Sequence, residues 1–156
     1  MKILFTHSYF YKLDAKQWRF KQPYPPLGTI LAASVMREQG YDVTLFDTNL
    51  KDDPGEIVPV LKQHRPKYMV LYDDGFNYLT KMCLTNMREA AFVMSTAGKQ
   101  SGCTVIVSSS DAADQYDKYF DHGVDYVVKG EGEETLKELI DTLEEGKDTS
   151  ALPGIV

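Results

Sequence analysis

The stretch "YVVKGEGEETLKELIDTLEEG" runs from Tyr126 to Gly146. It begins as a strand, Asp125–Val128, and ends as a helix, Glu133–Glu145, closed by Gly146. Between them stand Gly130, Glu131, Gly132 and Glu133, two glycines interleaved with two carboxylates. Glycine takes a positive φ without cost and lets other groups approach its backbone closely. The glycines flanking Glu131 therefore allow a tight turn at a sheet edge, or a backbone lying against a ligand. Glu133 and Glu134 fall in the first helical turn, where carboxylates favour the positive end of the helix dipole. A phosphate cradle is disfavoured here, because Glu131 and Glu133 would repel the anion.

The same alternation runs back through the chain. Four more apolar runs read as buried strands: Lys2–Thr6, Asp42–Asp47, Tyr68–Tyr72 and Thr104–Val107. Leu27, Ile30, Leu31, Ser34, Val35 and Glu38 follow helical spacing, between Pro25-Pro26 and Gly40. Further helices are predicted over about Gly55–Gln63, Lys81–Lys99 and within Ala112–His122. Pro59 unsettles the first turns of the Gly55–Gln63 helix. Five strand–helix alternations imply a parallel sheet covered on both faces. The fold class expected is α/β, a flavodoxin-like (Rossmann-like) doubly wound five-stranded parallel sheet in order 2-1-3-4-5. Ligands of such folds bind beyond the carboxyl ends of the strands, at the switch point.

Composition narrows the function classes. The 156 residues suit one domain, with 43% hydrophobic and 26% charged residues. A net charge of −6 argues against a nucleic-acid partner. No apolar run approaches the roughly 20 residues of a membrane span, and "MKILFTHS" reads as a first strand rather than a signal peptide. Two cysteines far apart, Cys83 and Cys103, exclude a disulfide framework and point to a reduced, cytoplasmic setting.

The first strand-to-helix connection, Thr6–Pro26, is long against the usual ~2–6 residues. It carries Tyr9, Phe10, Tyr11, Trp18, Phe20 and Tyr24. Six aromatics must bury against a flat ligand, a second domain, or a small core of their own. The tail "KDTSALPGIV" leaves the last helix with nothing to pair with and reads as a linker leading elsewhere, so the expected division is 1–146 as the domain and 147–156 as a linker toward a further domain.

Three segments in order carry a family resemblance: "YPPLGTILAASVMREQGYDVTLFDTN" at Tyr24–Asn49, "GVDYVVKGEGEETLKELIDTLEEG" at Gly123–Gly146, and "LPGIV" at Leu152–Val156. Together they resemble the N-terminal cobalamin-binding domain of cobalamin-dependent radical S-adenosylmethionine enzymes. The resemblance implies a corrinoid held above the strand ends, with its nucleotide tail running down beside the sheet. It implies cofactor-binding roles for His7, Tyr24, Pro26, Leu27, Tyr72, Asp73, Asp74, Ser108, Ser109, Ser110, Gly130, Glu131, Gly132 and Glu133. It further implies a C-terminal radical S-adenosylmethionine domain as partner in the parent chain, holding the iron–sulfur cluster and S-adenosylmethionine. The parent's expected reaction is methyl transfer or a related radical rearrangement, and this chain is not catalytic alone.

The chain departs from that family pattern at named points. The family usually has small residues at the ends of the third and fourth strands. Here these ends read Tyr72-Asp73-Asp74 and Ser108-Ser109-Ser110-Asp111, and Tyr72 is bulky enough to narrow a tail channel. The Asp-x-His-x-x-Gly pattern of proteins that ligate cobalt through histidine is absent, because Phe5 and Phe10 flank His7 in its place. A radical S-adenosylmethionine cluster needs Cys-x-x-x-Cys-x-x-Cys, which Cys83 and Cys103 do not supply. Two other readings stay open. One is a cofactor-free docking domain of the same fold. The other is a receiver-like phosphoacceptor domain using Asp73, Ser108 and Lys129, although Thr6-His7 stand where its Mg²⁺-binding acids belong.

Overall fold

A computed structural model describes residues 1–73, 84–130 and 132–156. Five strands, β1 (Lys2–Thr6), β2 (Asp42–Phe46), β3 (Tyr68–Tyr72), β4 (Thr104–Ser108) and β5 (Tyr126–Val128), form one sheet. All four pairings are parallel and the order is β2-β1-β3-β4-β5, as the alternation implied. β1 lies between β2 and β3, so the switch point sits at the carboxyl ends of β1 and β3.

The helices follow from the strands' two apolar faces. Leu4, Met69, Leu71, Val105, Val107 and Val127 face α3 (Ile57–His64), α4 (Leu84–Gln100), α5 (Ser110–Asp114) and α6 (Tyr116–Phe120). Ile3, Phe5, Tyr68, Val70, Tyr72, Ile106 and Val128 face α2 (Leu27–Glu38) and α7 (Gly132–Glu144), and the one-turn α1 (Ala15–Trp18) lies in the connection between β1 and α2. The alternation along each strand is the period of two expected of a pleated backbone. No helix among the described residues is long and apolar enough to cross a membrane.

Three local details differ from expectation. Pro59 sits at the third position of α3, where a backbone N–H has no helical partner to lose. A 3₁₀ turn at Pro54–Glu56, with an Asp53–Glu56 capping box, leads into that helix. The helix predicted within Ala112–His122 is two short helices broken at Gln115. The tail read as a linker also pairs with the sheet. Val127 and Val156 exchange N–H···O bonds at 3.0 Å, and Lys129 N–H donates to the Gly154 carbonyl at 2.8 Å. Gly154–Val156 thus runs antiparallel along β5 and covers an otherwise open sheet edge.

Candidate functional site

The carboxyl rim of the sheet gathers most of the residues singled out from sequence. Asp74 and Glu131 lie outside the described residues. At the β2–β1 corner, the Thr6 hydroxyl donates to the Phe46 carbonyl at 2.9 Å. His7 is buried with its Nε2 2.9 Å from Asp47 Oδ1 and 3.2 Å from Thr48 N. Both ring nitrogens of His7 lie 3.2 Å from Thr48 Oγ1, and that hydroxyl donates to the Tyr9 carbonyl at 2.9 Å. The imidazole is therefore enclosed by β2's outgoing loop. Burial pushes the Asp47 carboxyl up, but hydrogen bonds from His7 and from the Asn49 N–H outweigh it and hold the group below the usual range.

Asn49 extends this corner toward α2. Its Nδ2 donates to the Tyr24 carbonyl at 2.9 Å, fixing the chain just before Pro25-Pro26. Its Oδ1 is buried and has no hydrogen-bond partner among the described residues. A buried acceptor of this kind seeks an N–H or O–H donor. Pro26 is buried and caps α2, while Leu27 is 60% exposed at the rim.

The aromatic loop packs on itself. Tyr9, Tyr11 and Met87 form a small buried cluster, with Trp18 and Tyr24 against it. The Tyr9 hydroxyl donates to Asp14 at 3.0 Å and the Tyr11 hydroxyl to the Gln17 carbonyl at 2.7 Å. Of the six aromatics, Phe20 remains largely exposed.

At the switch point Asp73 joins β3 to β1. The Ser8 N–H donates to Asp73 Oδ1 at 2.7 Å, and the Ser8 hydroxyl lies 2.9–3.0 Å from both carboxylate oxygens. Burial still raises the Asp73 carboxyl above its ordinary value, against the lowering effect of Ser8. Next to it, the Thr29 hydroxyl donates to the Tyr72 carbonyl at 2.6 Å and pins α2 to the end of β3.

Tyr72 itself turns toward α7. A Cβ added to Gly132 would stand 2.9 Å from Ser108 Oγ, 3.0 Å from Tyr72 Cε2 and 3.1 Å from the Tyr72 hydroxyl. Gly132 is glycine because this ring and this hydroxyl occupy the space of a side chain. Burial raises the Tyr72 phenol, and its hydrogen bond to the Glu133 carboxylate raises it further; the Gly132 N–H and the Ser108 hydroxyl oppose this. Gly130 differs: its φ is +79°, and nothing lies within 4 Å of an added Cβ. It serves the turn and leaves the rim open above it.

Beyond β4, the three serines separate. Ser108 lines the Tyr72 notch, Ser109 caps α5 by accepting from the Ala112 N–H at 3.0 Å, and Ser110 is exposed. Sequence reasoning missed the charged cluster beside them. Arg88 Nε and Nη2 donate to the two oxygens of Asp111 at 2.7 and 2.5 Å, and the Tyr119 hydroxyl donates to Asp111 at 2.8 Å. Burial raises the Asp111 carboxyl, but Arg88 and Tyr119 outweigh it and hold the group low. Ser8, Thr29, Thr48 and Asn49 were missed as well; for Ser8, Thr48 and Asn49, a polar residue just past an apolar strand was the available signal. Lys129 Nζ lies 4.9 Å from the Tyr116 ring centroid, on the α6 side.

No protein-family model matches the chain. It is 28% identical over 135 residues to the hopanoid C-3 methylase of Methylococcus capsulatus, covering 84% of this chain and 24% of that protein. It is 28% identical over 139 residues to an uncharacterized methyltransferase of Pyrococcus horikoshii, covering 84% of this chain and 27% of that protein. The chain thus spans about a quarter of the length of the curated relatives it matches. In structure it superposes on the radical S-adenosylmethionine methyltransferase TsrM from Kitasatospora setae, solved with cobalamin and a [4Fe-4S] cluster bound. That match has a TM-score of 0.70 at 18% identity, covering 99% of this chain and 28% of TsrM. It also superposes on the cobalamin-dependent S-adenosylmethionine radical enzyme OxsB, solved with aqua-cobalamin and S-adenosylmethionine bound, with a TM-score of 0.68 at 19% identity, covering 99% of this chain and 20% of OxsB. The resemblance carried by Tyr24–Asn49, Gly123–Gly146 and Leu152–Val156 is therefore matched by the fold: the chain is similar, over nearly its whole length, to part of cobalamin-dependent radical S-adenosylmethionine enzymes.

Proposed function

We propose that this chain is the corrinoid-holding domain of a cobalamin-dependent radical S-adenosylmethionine protein of methyltransferase type. The observation that carries the reading is the fold match over 99% of the chain to two such enzymes solved with a cobalamin bound. Two features of the rim support it. Asn49 presents a buried acceptor without a donor among the described residues, and the amide-rich periphery of a corrin supplies N–H donors. Gly130 leaves open space at the turn into α7. On this reading Tyr24, Pro26, Leu27, Asn49, Gly130 and Glu133 hold the corrin, with Asp74 and Glu131 as further candidates outside the described residues. His7 and Asp73 build the platform beneath. Cobalamin supplies the cobalt–carbon chemistry; the chain's residues bind, orient and exclude water. The cluster, S-adenosylmethionine and the radical step belong to a further domain of the parent protein.

One observation favours a second reading, a docking domain without cofactor. The notch between β3, β4 and α7 is filled by the Tyr72 ring. Titration of the purified chain with hydroxocobalamin, followed by visible absorbance and by retention of colour on desalting, separates the two. A saturable spectral change at micromolar concentrations is expected. A colourless protein and an unchanged spectrum at high micromolar cobalamin would select the docking reading.

A further inference from the structure

We propose that Tyr72 is a specificity-determining residue that excludes the nucleotide tail of a cobalamin, so that the rim binds corrinoids through the ring alone. This deepens the corrinoid reading and rests on it. Cobalamin carries a nucleotide that ends in dimethylbenzimidazole, an aromatic base larger than a phenol. Once off the cobalt, that base must find an apolar slot or remain in solvent. Among the described residues, the rim offers few places for one. The β2–β1 corner is closed by buried hydrogen bonds among His7, Thr48 and Tyr9. On the α4 side, Tyr9, Tyr11 and Met87 already fill the space with a core of their own.

What remains among the described residues is the notch on the α2–α7 face, where Ser108 and Gly132 bring the smallest lining to the strand ends. Tyr72 occupies it so tightly that a methyl group on Gly132 would meet the ring at 3.0 Å. The residue is held at both ends. Its backbone carbonyl accepts from Thr29 at 2.6 Å, and its side-chain hydroxyl is bonded to Glu133, Gly132 and Ser108. Only 7% of the residue is exposed. Swinging it out would strip these partners and bury nothing in exchange, so the notch is closed to a second aromatic group.

The test compares cobalamin with dicyanocobinamide, a corrinoid without the nucleotide, by equilibrium titration of the wild-type chain and of Tyr72→Ala. The wild type is expected to bind the two within about threefold of each other, and cobalamin to keep the spectrum of a cobalt-bound benzimidazole. Tyr72→Ala is expected to tighten cobalamin by at least about tenfold, with a shift to the benzimidazole-off spectrum, and to leave cobinamide unchanged. Tyr72→Phe, which keeps the ring, should behave as wild type. A wild-type preference for cobalamin above about tenfold overturns the proposal even where no variant folds. An unchanged cobalamin-to-cobinamide ratio in a folded Tyr72→Ala overturns it too. Absence of binding by either corrinoid to any variant overturns the corrinoid reading itself, a result distinct from the other two.

Discussion

The two halves of the carboxyl rim are closed by different physics. At β2 and β1, short polar side chains satisfy one another: Thr6, His7, Asp47, Thr48 and Asn49 form a knot of hydrogen bonds between neighbouring loops. At β3, β4 and the start of α7, a large ring is seated on a residue with no side chain. The first half can lose a partner and refill with water. The second cannot yield without moving backbone, because Gly132 begins a helix and Tyr72 ends a central strand. Rigidity at the rim thus lies where the core reaches the surface, and adaptability lies in the polar corner.

The largest expected effect comes from breaking the packed half. Gly132→Val places branched carbons where Ser108 Oγ and the Tyr72 ring now stand, and should cost about 3 kcal/mol of stability in urea denaturation. Tyr72→Ala removes the obstacle, so the double variant should lose distinctly less than the sum of the two single variants. Strict additivity would mean that the glycine answers to something other than the ring, such as its own turn.

The polar half should yield more gently. Thr48→Val keeps the side-chain shape but removes the donor to the buried Tyr9 carbonyl and the contact with the His7 ring. About 1 to 2 kcal/mol is expected, the cost of a buried acceptor left without its donor. A loss as large as that of Gly132→Val would remove the distinction between the two halves.

What could be read from sequence follows the same division. The five strands were legible because a parallel strand buried on both faces is largely apolar, as "YMVLY" is throughout and "KILFT" is over Ile3–Phe5. The sheet order followed from the strand–helix alternation and the fold it implies. The break at Gln115 was not legible, because Asp111 answers to Arg88 and Tyr119, the first of these 23 residues away. Neither was the pairing of Gly154–Val156 with β5, since "LPGIV" carries no alternation long enough to read as a strand. The sequence around Gly132 suggested a ligand or a turn. Its neighbour is Tyr72, from a strand far back in the chain, and only the folded sheet brings them together. The crowded aromatics of Thr6–Pro26 did announce burial, but not that Met87 would complete their core.

The smallest effect, and the most discriminating within the polar half, is the sign of two pH dependences. Asp73 and Asp47 flank the end of β1 and both accept hydrogen bonds from the residues that follow it. Asp73 has its folded-state value raised by burial, so its contribution to stability is present below the unfolded carboxylate value of 3.8 and is lost as pH rises through the folded value. Asp47 has its folded-state value lowered, because the bonds from His7 and Asn49 outweigh its partial burial. Its contribution is present above 3.8 and is lost as pH falls through the folded value. Asp73→Asn keeps an acceptor for the Ser8 N–H and removes the charge. Relative to wild type, it should gain stability as pH rises above 3.8, and stay level once pH has passed the folded-state value. Asp47→Asn should do the opposite at the acid end, falling behind wild type as pH rises toward 3.8 and staying level above it. Asp47 has 47% of its side chain in solvent, so solvent screens its effect and the curve should be the shallower of the two. Denaturation midpoints of the three proteins across that range decide it. Two curves of the same sign would mean that Asp73 has a cationic partner compensating its burial, and that the switch point is charged rather than merely polar.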